Sequence, residues 1–231
     1  MIKAVFFDAD DTLLDHYACE RLALMHMFSN LGIAYQDSYQ DVFRPLDNSL
    51  WNNTYVSADP SPPIPKEEIP VFRFAKLFEL INIKYDDPAR ANVLFQEGFR
   101  QHSVLVDHAV EAVEYVHSKE LPIYIVTNGI ISLQNPRVMN SAVGKYISYV
   151  MVSEEAGVGK PNPKIFELLL KKIGLAPEDV IMIGDKLGLD VLGAKNAGIR
   201  SIWFNFSRKD NDTDILPDYE IHDLLDLKGI L

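Results

Sequence analysis

From about Val104 onward, short apolar runs alternate with segments of helical periodicity, and this alternation restricts the fold more than any other feature of the chain. The runs are Pro122-Ile123-Tyr124-Ile125-Val126, Tyr149-Val150-Met151-Val152, Val180-Ile181-Met182-Ile183 and Ser201-Ile202-Trp203-Phe204. Between them, Ala109, Ala112, Val113 and Val116 share one helix face, as do Phe166, Leu169, Leu170 and Ile173. Strands that alternate with helices build βαβ units, and these assemble into a parallel sheet with helices on both faces. The opening run Ile2 to Phe7 supplies a further strand of that sheet.

Residues 15–103 follow a different pattern. Helical periodicity runs over roughly His16–Leu31, Ser38–Tyr55, Lys66–Ile83 and Pro88–His102. The break is Asp59-Pro60-Ser61-Pro62-Pro63-Ile64-Pro65, which is not helical because proline lacks the amide donor and clashes with the preceding turn. It reads as a loop within an all-helical subdomain inserted after the first strand. The expected fold class is therefore α/β: a Rossmann-like parallel sheet core from residues 1–14 and 104–231, carrying a helical cap over 15–103. A length of 231 residues suits a core domain with a smaller one attached.

The formal charge of −11, from 22 basic and 33 acidic side chains, sets up a field that repels polyanions. A nucleic-acid polymer is excluded as a partner, but a small anion is not, provided a few positive groups or a metal act at one point. No apolar run approaches the ~20 residues of a membrane helix. The N-terminal apolar run is short and interrupted by aspartates, so no signal peptide is expected. The single cysteine, Cys19, excludes an internal disulfide and any cysteine-built metal site. A cytoplasmic monomer or homodimer is expected.

Parallel sheets bind ligands outside the carboxyl ends of their strands. Here those ends carry Asp8 and Asp10 after the first strand, Thr127-Asn128-Gly129 after the second, and Gly184-Asp185 after Ile183. Lys160 follows the Tyr149–Val152 run in Gly157-Val158-Gly159-Lys160-Pro161. Distant segments thus deliver carboxylates, a hydroxyl and a cation to one edge. Clustered carboxylates repel one another unless a hard divalent cation holds them, and Mg²⁺ takes a few carboxylates together with water and phosphate oxygens. A carboxylate can also attack phosphorus, while a second acid exchanges protons with the leaving group and the incoming water. The chemistry suggested is metal-assisted phosphoryl transfer.

Asp8-Ala9-Asp10-Asp11-Thr12, Thr127 with Asn128-Gly129, Lys160 in Gly-Lys-Pro-Asn-Pro, and Gly184-Asp185 through Asp190 resemble, in order, the four motifs of the haloacid dehalogenase superfamily. The insert occupies the place of that superfamily's type 1 cap. The resemblance implies that Asp8 is the nucleophile, forming an aspartyl phosphate, and that Asp10 is the general acid and base. It further implies that Thr127, Asn128, Gly129 and Lys160 bind the phosphoryl group. Mg²⁺ would be held by Asp8, the Asp10 carbonyl and Asp185, with Asp190 in support behind them. The dehalogenase branch lacks the second acid, so Asp10 favours phosphatase or phosphomutase chemistry. Asn48-Ser49-Leu50-Trp51, Arg73-Phe74 and Thr127-Asn128-Gly129 running on to Leu133-Gln134 look similar to the bacterial branch acting on pyrimidine nucleoside 5′-monophosphates. Small phosphorylated metabolites are then the expected substrates, with Asn48 and Trp51 as cap contacts.

Plainer readings stand beside these. Trp51 on an apolar cap helix is more often core than substrate platform, and Asn48 is evenly balanced between helix surface and pocket. Asp190 also reads as the first acid of a helix over Leu189–Ala197. The acidic stretch Asp210–Asp218 reads as a solvated loop. Lys186, where a small or acidic residue is commoner in the superfamily, either alters contacts behind the metal or points to solvent. A nucleotide P-loop at Gly157–Lys160 fails, since Glu154 replaces the first glycine and Pro161 follows the lysine. The rival functions are a sugar phosphomutase, a phospho-accepting signalling module and a non-catalytic binding protein.

Overall fold

The computed structural model describes residues 2–51, 54–55 and 64–231. The strands are β1 Ala4–Phe7, β2 Ile123–Thr127, β3 Ile147–Val152, β4 Val180–Gly184, β5 Arg200–Phe204 and β6 Tyr219–Ile221. The helices are α1 His16–Asn30, α2 Ser38–Trp51, α3 Ile69–Leu80, α4 Pro88–Gln101, α5 Ala109–Ser118, α6 Ile131–Met139, α7 Ser153–Ala156, α8 Lys164–Ile173 and α9 Leu192–Asn196. The chain divides into two compact units, one of Met1–Tyr17 with Ser103–Leu231 and the other of Ala18–His102.

The first unit holds one sheet of order β3-β2-β1-β4-β5-β6, every pair parallel. Alternate residues of its strands feed two apolar layers, which is why the strands read as continuous apolar runs. Val5, Phe7, Ile123, Ile125, Ile181 and Ile183 pack with Ala112, Val113 and Val116 of α5. Ala4, Phe6, Val126 and Met182 pack instead with Phe166 and Leu169 of α8. From β1 the chain builds β2 and β3 on one side, then crosses to β4 on the other. The crevice at such a reversal of strand order is where open α/β sheets bind ligands. β1 and β4 are in register, Phe7 opposite Ile183, and the Asp8 amide donates to the Ile183 carbonyl at 2.9 Å. That bond brings the two strand ends, and the aspartates beyond them, to the crevice together.

The second unit contains most of α1 and all of α2, α3 and α4. Its core stacks Phe43 of α2 on Phe74 of α3, centroids 5.4 Å apart, with Phe95 of α4 at 5.2 Å from Phe74. Arg73 is buried among these three rings and pairs with Asp47 at 3.0 Å and Asn92 at 3.2 Å.

Several sequence expectations are corrected. α2 ends at Trp51, not Tyr55, and the amides of Thr54 and Tyr55 both turn back to the Ser49 carbonyl. Trp51 is not core: it is 43% exposed, because the inward stripe is Phe43, Leu46 and Leu50, and the next residue lies about 100° round the helix. Asn48 is exposed on the same helix. α3 begins at Ile69 rather than Lys66, with Pro70 in its first turn, where its fixed φ is favourable and no amide is needed. Strand β6 was not foreseen, since only Ile221 of its three residues is buried. Within the acidic stretch, Asp218 is anchored, accepting from the Ser201 amide at 2.8 Å. Residues 59–63 of the proline-rich loop lie outside the described residues.

Candidate active site

Asp8 is the first residue beyond β1 and is buried. Its Oδ1 accepts from the Ala9 amide at 2.7 Å and pairs with Lys160 Nζ at 2.7 Å. Among the described residues, Oδ2 makes no hydrogen bond. Lys160 Nζ also donates to Asp190 Oδ1 at 2.6 Å, and Asp190 Oδ2 accepts from the Lys186 amide at 2.9 Å. Asp190 lies in the π-helical turn Leu187–Val191, fully buried, with both oxygens engaged. Gly184 makes this approach possible, because a Cβ there would lie 2.3 Å from the Asp190 carboxyl carbon.

One oxygen each of Asp8, Asp185 and Asp190 lies within 4.8 Å of the others, a spacing that a metal ion can bridge. Burial, reinforced by the Asp190 charge and opposed by Lys160, pushes Asp8 up to about 6. Burial and the charges of Asp8, Asp190 and Asp11 push Asp185 up to about 8, against the pull of Lys186. Lys160 is held above its ordinary range: burial works against its charge, but Asp190 and Asp8 outweigh it. Asp185 Oδ1 is buried without a hydrogen-bond partner. Lys186 is exposed, with its Nζ 4.0 Å from Asp185 Oδ2, close enough for its charge to act on the cluster. An all-oxygen donor set, an orphaned carboxylate oxygen and carboxyls driven toward protonation all fit a hard divalent cation. Since Asp190 is already engaged on both sides, Asp8 and Asp185 are the side chains suited to ligate it.

Asp10 is held separately. Its Oδ1 pairs with Arg137 Nη2 at 2.7 Å and with His16 Nδ1 at 3.2 Å, while Oδ2 accepts from Gln134 Nε2 at 2.8 Å. Burial alone would raise this carboxyl, but Arg137 and His16 overcome it and keep Asp10 well below the ordinary range. Asp11 adopts φ +60° in the turn, and its Oδ1 accepts from the His16 amide at 3.2 Å.

The loop after β2 supplies the third wall. Thr127 is buried, with Oγ1 3.3 Å from Gln134 Nε2. Asn128 brackets the Lys160 backbone, its Oδ1 accepting from the amide at 2.7 Å and its Nδ2 donating to the carbonyl at 3.0 Å. The side chain of Asn128 thus serves to seat the lysine. The Gly129 amide donates to Ser153 Oγ at 2.9 Å. Asn48 and Trp51 belong to the helical unit, apart from these clusters in the chain's division. Gln134 was quoted from the sequence only as part of a resemblance, and Arg137 was missed altogether. The available signal was their spacing of three on a short helix, which places both on one face.

A sequence model of haloacid dehalogenase-like hydrolases matches residues 2–198. The chain is 31% identical over 230 residues to the pyrimidine 5′-nucleotidase PynA of Streptococcus pneumoniae, covering 99% of this chain and 94% of that protein. To the pyrimidine 5′-nucleotidase YjjG of Escherichia coli it is 28% identical over 230 residues, covering 98% and 96%. The crystal structure of the Bacillus subtilis HAD-hydrolase YfnB, described as bound to magnesium, superposes with a TM-score of 0.86 at 27% identity, covering 100% of this chain and 98% of that one.

Proposed function

The chain belongs to the haloacid dehalogenase-like hydrolase family, and from that premise we propose that it is a Mg²⁺-dependent phosphomonoesterase acting on small phosphorylated metabolites, foremost pyrimidine nucleoside 5′-monophosphates. In the first step an oxygen of Asp8 attacks phosphorus and the bond from phosphorus to the leaving oxygen breaks; Asp10, which Arg137 and His16 hold ionised in the free protein, takes up a proton as substrate binds and gives it to that oxygen. In the second, water attacks the aspartyl phosphate, Asp10 takes the water's proton, and phosphate departs from Asp8. Lys160 neutralises Asp8 and the phosphoryl oxygens, and Thr127 orients them. Asp190 and Asn128 act on Lys160, one fixing its ammonium and the other its backbone. Mg²⁺, held by Asp8, Asp185 and the Asp10 carbonyl, would screen the charge between nucleophile and phosphate when bound. Asn48 and Trp51 are assigned as substrate contacts from the cap.

The observation that carries this reading is the setting of Asp8: Oδ1 bonded to Lys160, and one carboxylate oxygen within 4.8 Å of oxygens of Asp185 and Asp190. The nucleotide preference is supported by the full-length likeness to two pyrimidine 5′-nucleotidases. We take a cytoplasmic setting as part of this reading; the single cysteine, Cys19, is buried, and no helix of the described residues is long and apolar enough to cross a membrane. Monomer or homodimer remains the proposed state.

The test is a phosphate-release screen over nucleotides, sugar phosphates and simple esters, with Mg²⁺ or with chelator, on wild type and Asp8→Asn. Wild type is expected to turn over pyrimidine nucleoside monophosphates best and to stop without metal. Asp8→Asn should fold normally and lose at least about 10³-fold in rate. Near-normal turnover by Asp8→Asn would sink the mechanism. Equal rates across unrelated esters would remove only the nucleotide preference, and interconversion of phosphosugar isomers without phosphate release would favour a mutase.

A further inference from the structure

Helix α6 begins directly after the Thr127–Gly129 loop and turns two polar side chains inward. Arg137 is fully buried and Gln134 nearly so. A buried guanidinium is costly unless its charge and donors are met, so its partners reveal its purpose. Arg137 Nη2 meets Asp10 Oδ1 at 2.7 Å, and Arg137 Nη1 donates to Gln134 Oε1 at 2.8 Å. Gln134 Nε2 donates to Asp10 Oδ2 at 2.8 Å, which closes a ring of Asp10, Arg137 and Gln134. Each oxygen of Asp10 thus has a partner on α6, the Arg137 charge for Oδ1 and the Gln134 amide for Oδ2, while His16 Nδ1 lies 3.2 Å from Oδ1 on the other side.

The same amide nitrogen of Gln134 lies 3.3 Å from Thr127 Oγ1 and 3.2 Å from the Asn128 carbonyl. Gly129, at φ +147°, lies against the Gln134 side chain: a Cβ there would meet Gln134 Cγ at 3.0 Å. The Arg137 carbonyl is tied to Ser103 Oγ at 2.7 Å, so the helix is itself anchored. One face of α6 thus touches both the acid that exchanges protons and the loop that receives the phosphoryl group.

We propose that Gln134 and Arg137 are positioning residues that set the orientation of the Asp10 carboxyl relative to the Thr127 loop, so that proton transfer occurs in register with the bound phosphoryl group. This rests on the phosphatase reading above. The pair acts through Asp10, so its contribution exists only while Asp10 is a carboxyl. A residue that merely props up the fold would matter equally whatever side chain stood at position 10.

The experiment is a double-mutant cycle, read as kcat and KM for p-nitrophenyl phosphate with saturating Mg²⁺; its leaving group needs little protonation, so Asp10 variants stay measurable and the loss in kcat reports the second step, in which Asp10 takes the water's proton. Arg137→Met alone is expected to lower kcat by roughly tenfold or more with KM changed less than about threefold. In an Asp10→Asn background the same substitution should change kcat by less than about twofold. Gln134→Met should show the same dependence on Asp10, and it keeps the test decisive if Arg137→Met does not fold. Arg137→Lys should recover only part of the loss, since an ammonium lacks the planar fork. The proposal is overturned if the loss in kcat is undiminished in the Asp10→Asn background, or if neither single variant lowers kcat. Asp10→Asn alone with wild-type turnover would instead defeat the phosphatase mechanism, a result distinct from either.

Discussion

At the scale of single residues, the site is governed by which oxygen of each aspartate is already engaged. Asp190 has none to offer: one oxygen meets Lys160 and the other the Lys186 amide. It sits there only because Gly184 has no side chain. Gly184→Ala would place a methyl group 2.3 Å from the Asp190 carboxyl carbon, so the carboxyl or the strand end must move. Overpacking of this kind costs about 1–3 kcal/mol, and Lys160 would lose one of its two anionic partners. We expect Gly184→Ala to lower the melting temperature by a few degrees, about 2–12 °C, and kcat by about tenfold or more. The melting curve and the turnover number check the two parts separately, and a variant with both unchanged would show that Asp190 does not hold the lysine. This glycine was legible in the sequence only as a turn beside Asp185. Its steric role depends on how the π-helical turn folds Asp190 back onto the strand, and no spacing rule reports that.

At the scale of elements, the C-terminal 3₁₀ helix Leu224–Gly229 shows how a short piece is held. Leu224 and Leu227 are buried against the layer that contains α5. Asp223 caps this helix, its Oδ1 accepting from the Leu225 amide at 2.8 Å, and His108 Nδ1 lies 2.9 Å from the same carboxylate. The Leu225 bond, against a small opposing effect of burial and aided by His108, holds Asp223 below its ordinary value of 3.8. A depressed carboxyl stabilises the fold above its unfolded value, and that contribution is lost as pH falls through the folded one. Asp223→Ala should therefore cost about 0.5–2 kcal/mol at neutral pH. Denaturant titrations of variant and wild type should converge as the pH drops below 3.8; a gap that persists in strong acid would rule out the charged cap. Elements like this one were hidden in the sequence, as was β6, because a single inward residue leaves no period to detect. Strands β1 to β5 were legible because most of their residues are buried and each holds a short apolar run. The convergence of Asp8, Lys160 and Asp185 followed from that, since a parallel sheet puts strand ends at one edge. Arg137 and Gln134 were not legible, because a polar pair on a short helix reads as solvated until the helix is seen to pack inward.

At the scale of the molecule, the metal-free protein carries an unresolved electrostatic cost in its most buried acidic cluster, on top of a net charge of −11. Asp185 is the sharpest case, with its carboxyl pushed up to about 8 by burial and by the neighbouring charges of Asp8, Asp190 and Asp11. A carboxyl raised in the folded state binds its proton more tightly there than in the unfolded chain. Stability is then fullest below the unfolded value of 3.8 and falls as pH climbs toward about 8. The metal-free wild type should lose melting temperature across that range relative to Asp185→Asn, whose side chain carries no charge to desolvate. Mg²⁺ should reverse the order. A ligand that binds only the folded state at about 100 times its Kd adds about 2.7 kcal/mol, equivalent to a rise of about 5–10 °C for a chain of this size. Wild type should show that rise at neutral pH, and Asp185→Asn, lacking a ligand, should show little of it. Melting curves of both proteins, with chelator and with Mg²⁺ at several pH values, check the argument. If Asp185→Asn were no more stable than wild type without metal, the buried charge would not be the cost inferred here. If it gained as much from Mg²⁺, the ion would not be held by Asp185.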